Sequence, residues 1–287
     1  MHQEHVNLVD SVREGLADPP SAAAGGSVQR DLAWRNRQLA HAGVAHAQRL
    51  VLDRYRLEDP RAAFELLRET SQRYNVKLHI LADALVHVPG PPSGSRSWFP
   101  RRPLPAPPSV PGLGADSSRA QHGAVLNAAL RRALEIAQTS MGNVPLAENG
   151  LLRLEKHVGL SREFTDFFAF VEHSTTACAQ AAENRRQITV KDVAVSDAFD
   201  EGSRATILEA GSRACHSIPL LSPKGTVLGV MSTHHERPLN GLTDAQLAAL
   251  DDLASTVGRW LIWHRHTVVL TALEGLHVTA LHAAGPR

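Results

Sequence analysis

The chain has 287 residues, enough for two domains, and a hydrophobic fraction of 43% supplies the apolar surface of at least one buried core. A formal net charge of +1 excludes a protein that coats polyanions over its whole surface, so nucleic-acid binding would need a local basic patch. Only Cys178 and Cys215 are cysteines, and their spacing excludes a disulfide scaffold or a structural zinc site.

The N-terminus has no positively charged start followed by an apolar run, and no segment reaches the length needed to span a bilayer. We therefore expect a cytoplasmic protein without a membrane partner. Composition divides the chain into a flexible start (1–27), a helical domain (28–88), a linker (89–119), a mixed domain (120–266) and a C-terminal tail (267–287). The linker is indicated by nine of the 17 prolines, which favour extended conformations over a core.

The helical domain is predicted to contain three helices. Apolar residues recur at three- and four-residue steps over 28–57, which predicts one long leading helix. Asp59 and Pro60 suit the N-cap and the first position of a second helix. A third helix should end before Pro89. With ten Lys or Arg against seven Asp or Glu, the domain fits a solvated surface as well as a nucleic-acid binder.

A more specific interpretation comes from a set of core and polar residues in fixed order and spacing: Ala63-Phe64, Leu67-Arg68, Ser71, Asn75, Lys77-Leu78 and Ala82. This set resembles ANTAR domains, the RNA-binding three-helix modules of transcription antitermination regulators. The resemblance implies a homodimer formed through the long leading helix. It also implies binding to paired RNA hairpins, which prevents a terminator from forming.

The candidate RNA-binding residues lie around the corner between the second and third helices, where cations can hold phosphates and polar groups can bond unstacked bases. They are Arg68, Ser71, Gln72, Asn75 and Lys77. Arg68 and Lys77 are favoured because a core needs neither, whereas Ser71 and Asn75 also suit a close helix approach and a helix cap.

Two alternatives to RNA binding stay open. Gln48 and His79 depart from the family pattern, which motivates a protein-interaction module that has lost RNA binding. Short helices after a longer one also resemble a helix-turn-helix, which would bind DNA.

From Gln121 onward the pattern predicts an antiparallel sheet with helices packed on it, so the chain as a whole is assigned to the α+β class. The turn Ser222–Gly225 suits a type I turn between two strands. The predicted elements are a helix over GAVLNAALRRALEIAQTS, strands MGNVPLA and NGLLRLEKHVG, a helix over SREFTDFFAFVEH, strand QITVKDV, a helix near 204–210, strands RACHSIPLL and TVLGVMSTHH, and a long helix over 243–263.

Three stretches of this domain, MGNVPL, VKDV and ACHSIPLLSPKGTVLGVMSTH running into LTDAQLAALDDLA, resemble a GAF domain. The resemblance implies a sensory module that binds a small molecule or serves as a dimer platform. It names no ligand.

Three residues are candidates for a ligand pocket in this domain: Cys178, His216 and His234. Strand alternation can aim one histidine of each late strand inward. Cys178 lies near a helix start, which can lower a thiol pKa, although a small buried side chain explains it better. The sequence contains no metal-ligand spacing, glycine-rich phosphate loop, nucleophile elbow or pair of catalytic carboxylates, so we expect no catalytic site, metal or certain cofactor.

The two resemblances together imply a signal-responsive regulator, and the motifs give no reason to expect an enzyme. A signal in the GAF-like domain would change the dimer, so that two ANTAR-like domains engage neighbouring RNA hairpins together and gain avidity.

Overall fold

The computed structural model describes residues 26–99, 104–113, 121–172 and 176–283. Two compact units divide the chain: the first contains the described residues up to Pro105 and from Trp263 onward, and the second runs from Ala106 to Ile262. The predicted flexible start lies outside the described residues except for its last two. None of the described helices combines the length and the apolar composition that crossing a membrane requires.

Three helices open the first unit, as the sequence predicts: α1 (Gly26–Tyr55), α2 (Pro60–Tyr74) and α3 (Leu78–His87). The side chain of Asp59 accepts a hydrogen bond from the backbone N–H of Arg61, so it is the predicted N-cap of α2. The local sequence therefore fixes where the second helix begins.

The second unit is built on a six-stranded, fully antiparallel sheet with strand order β3-β2-β1-β6-β5-β4. Five α-helices among the described residues flank it, which confirms the predicted α+β class. Its elements in chain order are α4 (His122–Ala137), β1 (Met141–Glu148), β2 (Leu151–Val158), α5 (Arg162–Phe167), β3 (Phe170–Val171), α6 (Ala177–Asn184), β4 (Ile188–Val190), α7 (Glu201–Glu209), β5 (Ala214–Leu221), β6 (Val227–His235) and α8 (Asp244–His264).

One predicted helix of this unit is shorter than expected. The stretch SREFTDFFAFVEH was assigned to a single helix, but α5 ends at Phe167 and β3 follows at Phe170. The backbone of Ala169 accepts a hydrogen bond from Leu154, so pairing with β2 takes over where the helix ends. Tertiary pairing overrides the helical pattern here.

The central hairpin of the sheet is buried along almost its whole length, because helices cover both of its faces. On one face α8 comes so close that a Cβ at Gly258 would collide with the backbone carbonyl of Leu221. On the other face, α5, α6 and α7 enclose an apolar core that includes Phe164, Ala181 and Ile207. This second face contains the cavity described below.

The C-terminal segment returns to the first unit, which corrects the expectation that residues 267–287 are a tail. A π-helical turn (Arg265–Val269) follows α8 and leads into α9 (Leu270–Ala283). Val269, Ala272, Leu273, Leu276 and Ala280 recur at helical spacing, and all five are fully buried with the core residues of α1, α2 and α3. The apolar stripe on α9 gives this segment a place in the core.

A short stretch of the predicted linker is also packed into the first unit. Trp98 is only 5% exposed, and its indole N–H donates to the carbonyl of Pro89 at 2.8 Å. The backbone N–H groups of Trp98 and Phe99 both donate to the Glu274 carboxylate, at 2.9 and 2.8 Å. Proline content gave no indication of this anchoring, because it comes from side chains that lie far away in the sequence.

A buried network of hydrogen bonds lies in the same region and links Tyr55, His277 and Ser95. The Nε2 atom of His277 lies 3.0 Å from the carbonyl of Ser95, which can only accept, so this ring nitrogen is the donor. The other nitrogen, Nδ1, then accepts from the Tyr55 hydroxyl at 2.9 Å. Burial raises the pKa of Tyr55 to about 12, so the hydroxyl keeps its proton and can donate it to this hydrogen bond.

Candidate functional site

The second unit contains an interior cavity of about 30 Å³ between the sheet and helices α5, α6 and α7, which is room for one or two water molecules. Its walls are mainly apolar and aromatic, and no Asp, Glu, Lys or Arg is among the described residues that line it. A charged ligand would lose its hydration there without a partner of opposite charge. The cavity is therefore suited to an uncharged occupant.

A polar row crosses the sheet at the floor of this cavity. Asn143 on β1 pairs with Ser232 on β6, and Ser232 pairs with Ser217 on β5. The two serine hydroxyls are 2.9 Å apart and satisfy one another. Because strand side chains alternate between faces, His234 and Cys215 lie on this same face, one step further along their strands.

His234 presents an unpaired acceptor to the cavity. Its Nδ1 lies 3.0 Å from the Ser212 hydroxyl, which is itself 3.2 Å from the Ala214 carbonyl. Both contacts are satisfied when Ser212 donates to the carbonyl and accepts from Nδ1–H, which leaves the lone pair of the neutral ring on Nε2. Nε2 is buried and has no hydrogen-bond partner among the described residues.

Burial keeps this imidazole neutral. His234 is 5% exposed, and desolvation, with a smaller contribution from the nearby His235, lowers its pKa to about 4. The ring of Phe164 stands edge-on to it with centroids 5.2 Å apart. At neutral pH, His234 is thus a fixed hydrogen-bond acceptor in an aromatic wall.

Asn143 supplies a second unpaired acceptor. Its side chain is 7% exposed, and Oδ1 has no hydrogen-bond partner among the described residues. An unsatisfied buried acceptor costs about 1–3 kcal/mol. Two such atoms lining one cavity form a site that lacks only a hydrogen-bond donor.

The two cysteines also line the cavity, and both are protonated at neutral pH. Burial raises the pKa of Cys178 and raises that of Cys215 to about 12. The Cys178 sulfur lies 3.2 Å from the Thr176 hydroxyl, a contact too weak to offset desolvation. The helix start at Cys178 suggested a lowered thiol pKa, but burial acts in the opposite direction and dominates.

The structure brings together two of the three candidate pocket residues, Cys178 and His234, and places His216 elsewhere. His216 pairs with Thr233, so its side chain lies on the opposite face from His234. There its ring nitrogens bond Thr189 and Gln187, each at 2.8 Å. Burial, with a smaller contribution from the neighbouring His235, lowers its pKa to about 4 as well.

The sequence analysis missed five polar or thiol residues of the cavity: Asn143, Thr176, Cys215, Ser217 and Ser232. The i, i+2 spacing of Ser232 and His234 was a usable signal, because it places both on one face of a strand. Asn143 could not be found in this way, since its position depends on the register between β1 and β6.

In the first unit, two of the five candidate RNA-binding residues have structural roles. The Ser71 hydroxyl donates to the Val76 carbonyl at 2.7 Å, and Asn75 ends α2 in the left-handed conformation with φ 51°. Gln48, one of the departures from the family pattern, donates to the Pro60 carbonyl at 2.6 Å and so supports the start of α2. These contacts account for the polar residues at the corner without a ligand.

The other candidates lie on the surface of that corner. The Arg68 guanidinium is 2.6 Å from the Glu65 carboxylate and donates to the Gln72 side chain at 3.1 Å. The Arg68 side chain is 42% exposed, and Gln72 and Lys77 are exposed. Exposed ion pairs are weak, so Arg68 can exchange its carboxylate partner for a phosphate.

Comparison with known families agrees with this architecture. Residues 121–259 match the GAF domain family, and we call this part of the chain the GAF domain. The match lies outside the helical segment 28–88, whose resemblance to ANTAR domains stays a prediction. No curated protein matches the chain.

Several solved structures are similar to part of this chain at low sequence identity. A GAF domain/HD domain protein from Geobacter sulfurreducens is 17% identical, covering 53% of this chain and 93% of that one, with a TM-score of 0.40. The GAF domain from a phosphoenolpyruvate-protein phosphotransferase of Coxiella burnetii is 13% identical (70% and 94% covered, TM-score 0.43). A type II free methionine-R-sulfoxide reductase from Thermoplasma acidophilum is 14% identical (49% and 89%, TM-score 0.39).

Proposed function

We propose that the protein is a signal-responsive regulator in which the GAF domain binds a small molecule and the first unit binds RNA hairpins to control transcription termination. The observation that carries the sensor half is the cavity with its two unpaired acceptors, Asn143 Oδ1 and His234 Nε2. Proteins rarely leave buried polar atoms unpaired. An external donor that completes the site would stabilise the liganded domain.

The RNA-binding half is supported by the exposed polar surface at the α2–α3 corner. Arg68 can form a bidentate contact with a phosphate, Lys77 adds a second cation, and Gln72 offers an amide for a base edge. These three remain as RNA contacts, because Ser71 and Asn75 are already engaged in structural roles. In this proposal, the α2–α3 corner is the surface that binds RNA in response to the signal.

A homodimer is part of the proposed mechanism. Engagement of two hairpins by two linked first units would raise the overall affinity through effective concentration, without any new contact. In the simplest form α1 joins the two copies, and ligand binding in the GAF domain alters how the copies are held. A protein that stays monomeric with and without ligand and RNA would contradict this mechanism.

The test is binding of the full chain to a tandem-hairpin RNA, compared with duplex DNA at the same salt concentration. The Arg68→Ala/Lys77→Ala double variant is expected to bind the RNA about tenfold more weakly or worse, because two phosphate contacts are lost. Arg132→Ala is the matched control: Arg132 has the same i, i+3 pairing with a glutamate, at 2.9 Å, and is 51% exposed, but it lies in the GAF domain.

Each alternative has its own result in this assay. Equal or tighter binding to duplex DNA would favour a DNA-binding regulator. No RNA binding by the wild-type chain would favour a protein-interaction module. If Arg132→Ala weakens binding as much as the double variant, the α2–α3 corner is not the RNA-binding surface.

A further inference from the structure

We infer that the GAF cavity recognises a small uncharged molecule through a primary amide-type NH2 group, which donates one hydrogen bond to Asn143 Oδ1 and one to His234 Nε2. This inference rests on the sensor half of the proposed function and is independent of RNA binding. It specifies the hydrogen-bonding groups that the ligand must carry, which the fold alone does not specify.

The acceptor character of both atoms determines the hydrogen-bonding requirement. Asn143 Oδ1 is a carbonyl oxygen and can only accept. His234 Nε2 carries the lone pair, because Nδ1–H is donated to Ser212. The ligand must therefore bring two donors, and a group that only accepts, such as a ketone or a carboxylate, leaves both atoms unpaired.

The sheet register brings these two residues near one another on one face of the sheet. Asn143 pairs with Ser232, so His234 is its diagonal neighbour on the adjacent strand. Diagonal neighbours on one face lie roughly 7–8 Å apart at the backbone, and side chains that lean into a shared cavity come closer. An NH2 group presents two N–H donors from a single atom, which suits this separation.

Charge and size restrict the ligand further. No charged side chain is among the described residues of the wall, and His234 is neutral, so neither an ammonium nor a carboxylate would find a counter-charge. A volume of about 30 Å³ admits only a very small molecule unless the walls adjust. Phe164 and Phe168 would cover the apolar part of such a ligand.

Three probes of the same branched shape and heavy-atom count separate these requirements: acetamide, acetone and acetate. Acetamide supplies the NH2 group, acetone replaces it with a methyl group, and acetate replaces it with a charged oxygen. Ligands of this size bind in about the millimolar range at best. NMR titration of the full chain, followed at the Asn143 side-chain amide and the His234 ring nitrogens, measures such affinities.

Acetamide is expected to bind and to shift both sets of resonances, whereas acetone and acetate should bind at least tenfold more weakly. Asn143→Leu should abolish acetamide binding, and the unliganded domain should be no less stable, because the substitution removes an unpaired buried acceptor. His216→Gln is the matched control on the same hairpin: it perturbs a buried histidine on the opposite face and should leave acetamide binding unchanged.

The outcomes distinguish this inference from the proposed function. If acetone binds as tightly as acetamide, the donor requirement is wrong and the cavity remains a ligand site of other chemistry. If acetate binds best, the argument from charge is wrong. If bridging water occupies the cavity and no probe enters, both the ligand inference and the sensor half fail, while the RNA assay still stands on its own.

Discussion

Acidification should destabilise the GAF domain, because His216 and His234 are buried there as neutral side chains. Burial lowers the pKa of each to about 4, whereas an unfolded histidine titrates near about 6.5. The unfolded chain therefore binds more protons than the folded one between these values. Stability should be fully present above pH 6.5 and should be lost as the pH falls from 6.5 towards 4.

The magnitude follows from proton linkage. Each histidine should cost about 0.8 kcal/mol at pH 6 and about 2 kcal/mol at pH 5, relative to pH 8. If the two titrate independently, the loss at pH 5 is about 4 kcal/mol, a large share of the 5–15 kcal/mol that typically stabilises a domain. Below about pH 4 the loss should level off, because the folded state then takes up the protons too.

Urea unfolding of the full chain between pH 8 and pH 5, followed through the amide resonances of residues 214–235, reports on this domain alone. His216→Gln should reduce the loss at pH 5 by about 2 kcal/mol, because the proton linkage of this one histidine is gone. His41→Gln is the control, since His41 is exposed on α1 in the first unit. Equal midpoints at pH 8 and pH 5, or an unchanged slope in His216→Gln, would refute the reasoning.

Two further predictions concern packing. Gly258→Ala should destabilise the GAF domain by about 1–3 kcal/mol, because the new Cβ would collide with a backbone carbonyl of β5, although alanine normally favours a helix. Gly202→Ala, whose Cβ would make only ordinary contacts, should be neutral or slightly stabilising in the same urea unfolding; equal effects would contradict the close approach. In the first unit, Glu274→Ala should cost about 2–4 kcal/mol by leaving two backbone N–H groups of segment 98–99 unpaired, measured by tryptophan fluorescence. Glu69 is exposed, so Glu69→Ala should change the free energy of unfolding little. A loss as large as that of Glu274→Ala would argue against the contact between the Glu274 carboxylate and segment 98–99.

Local signals in the sequence were sufficient for most of the elements. Asp59 and Pro60 located the start of α2, and the stretch Ser222–Gly225 located the β5–β6 turn, where the N–H of Gly225 donates to the Ser222 carbonyl at 2.9 Å. Both depend on residues a few positions apart. The shortened α5 and the anchored segment at Trp98 depend on distant partners, so local patterns could not reveal them.

The same distinction applies to the candidate site. His234 was found because strand geometry aims one of the two histidines at the end of β6 inward. His216 was assigned to the same pocket, but its pairing with Thr233 puts the two histidines on opposite faces. Asn143 was missed because nothing local marks it as a neighbour of His234. Register between strands, which a single sequence does not encode locally, decides which polar residues meet.

Assembly of the first unit from two separated segments has a consequence during protein synthesis. At about 5–20 residues per second, the ribosome adds α9 roughly 10–40 s after α3. During that interval the side chains of Leu67, Leu81 and Leu85, which α9 helps to bury, remain partly exposed to water and can associate with other chains. Newly made chains should therefore depend on a chaperone that shields the N-terminal helices until α9 has been made.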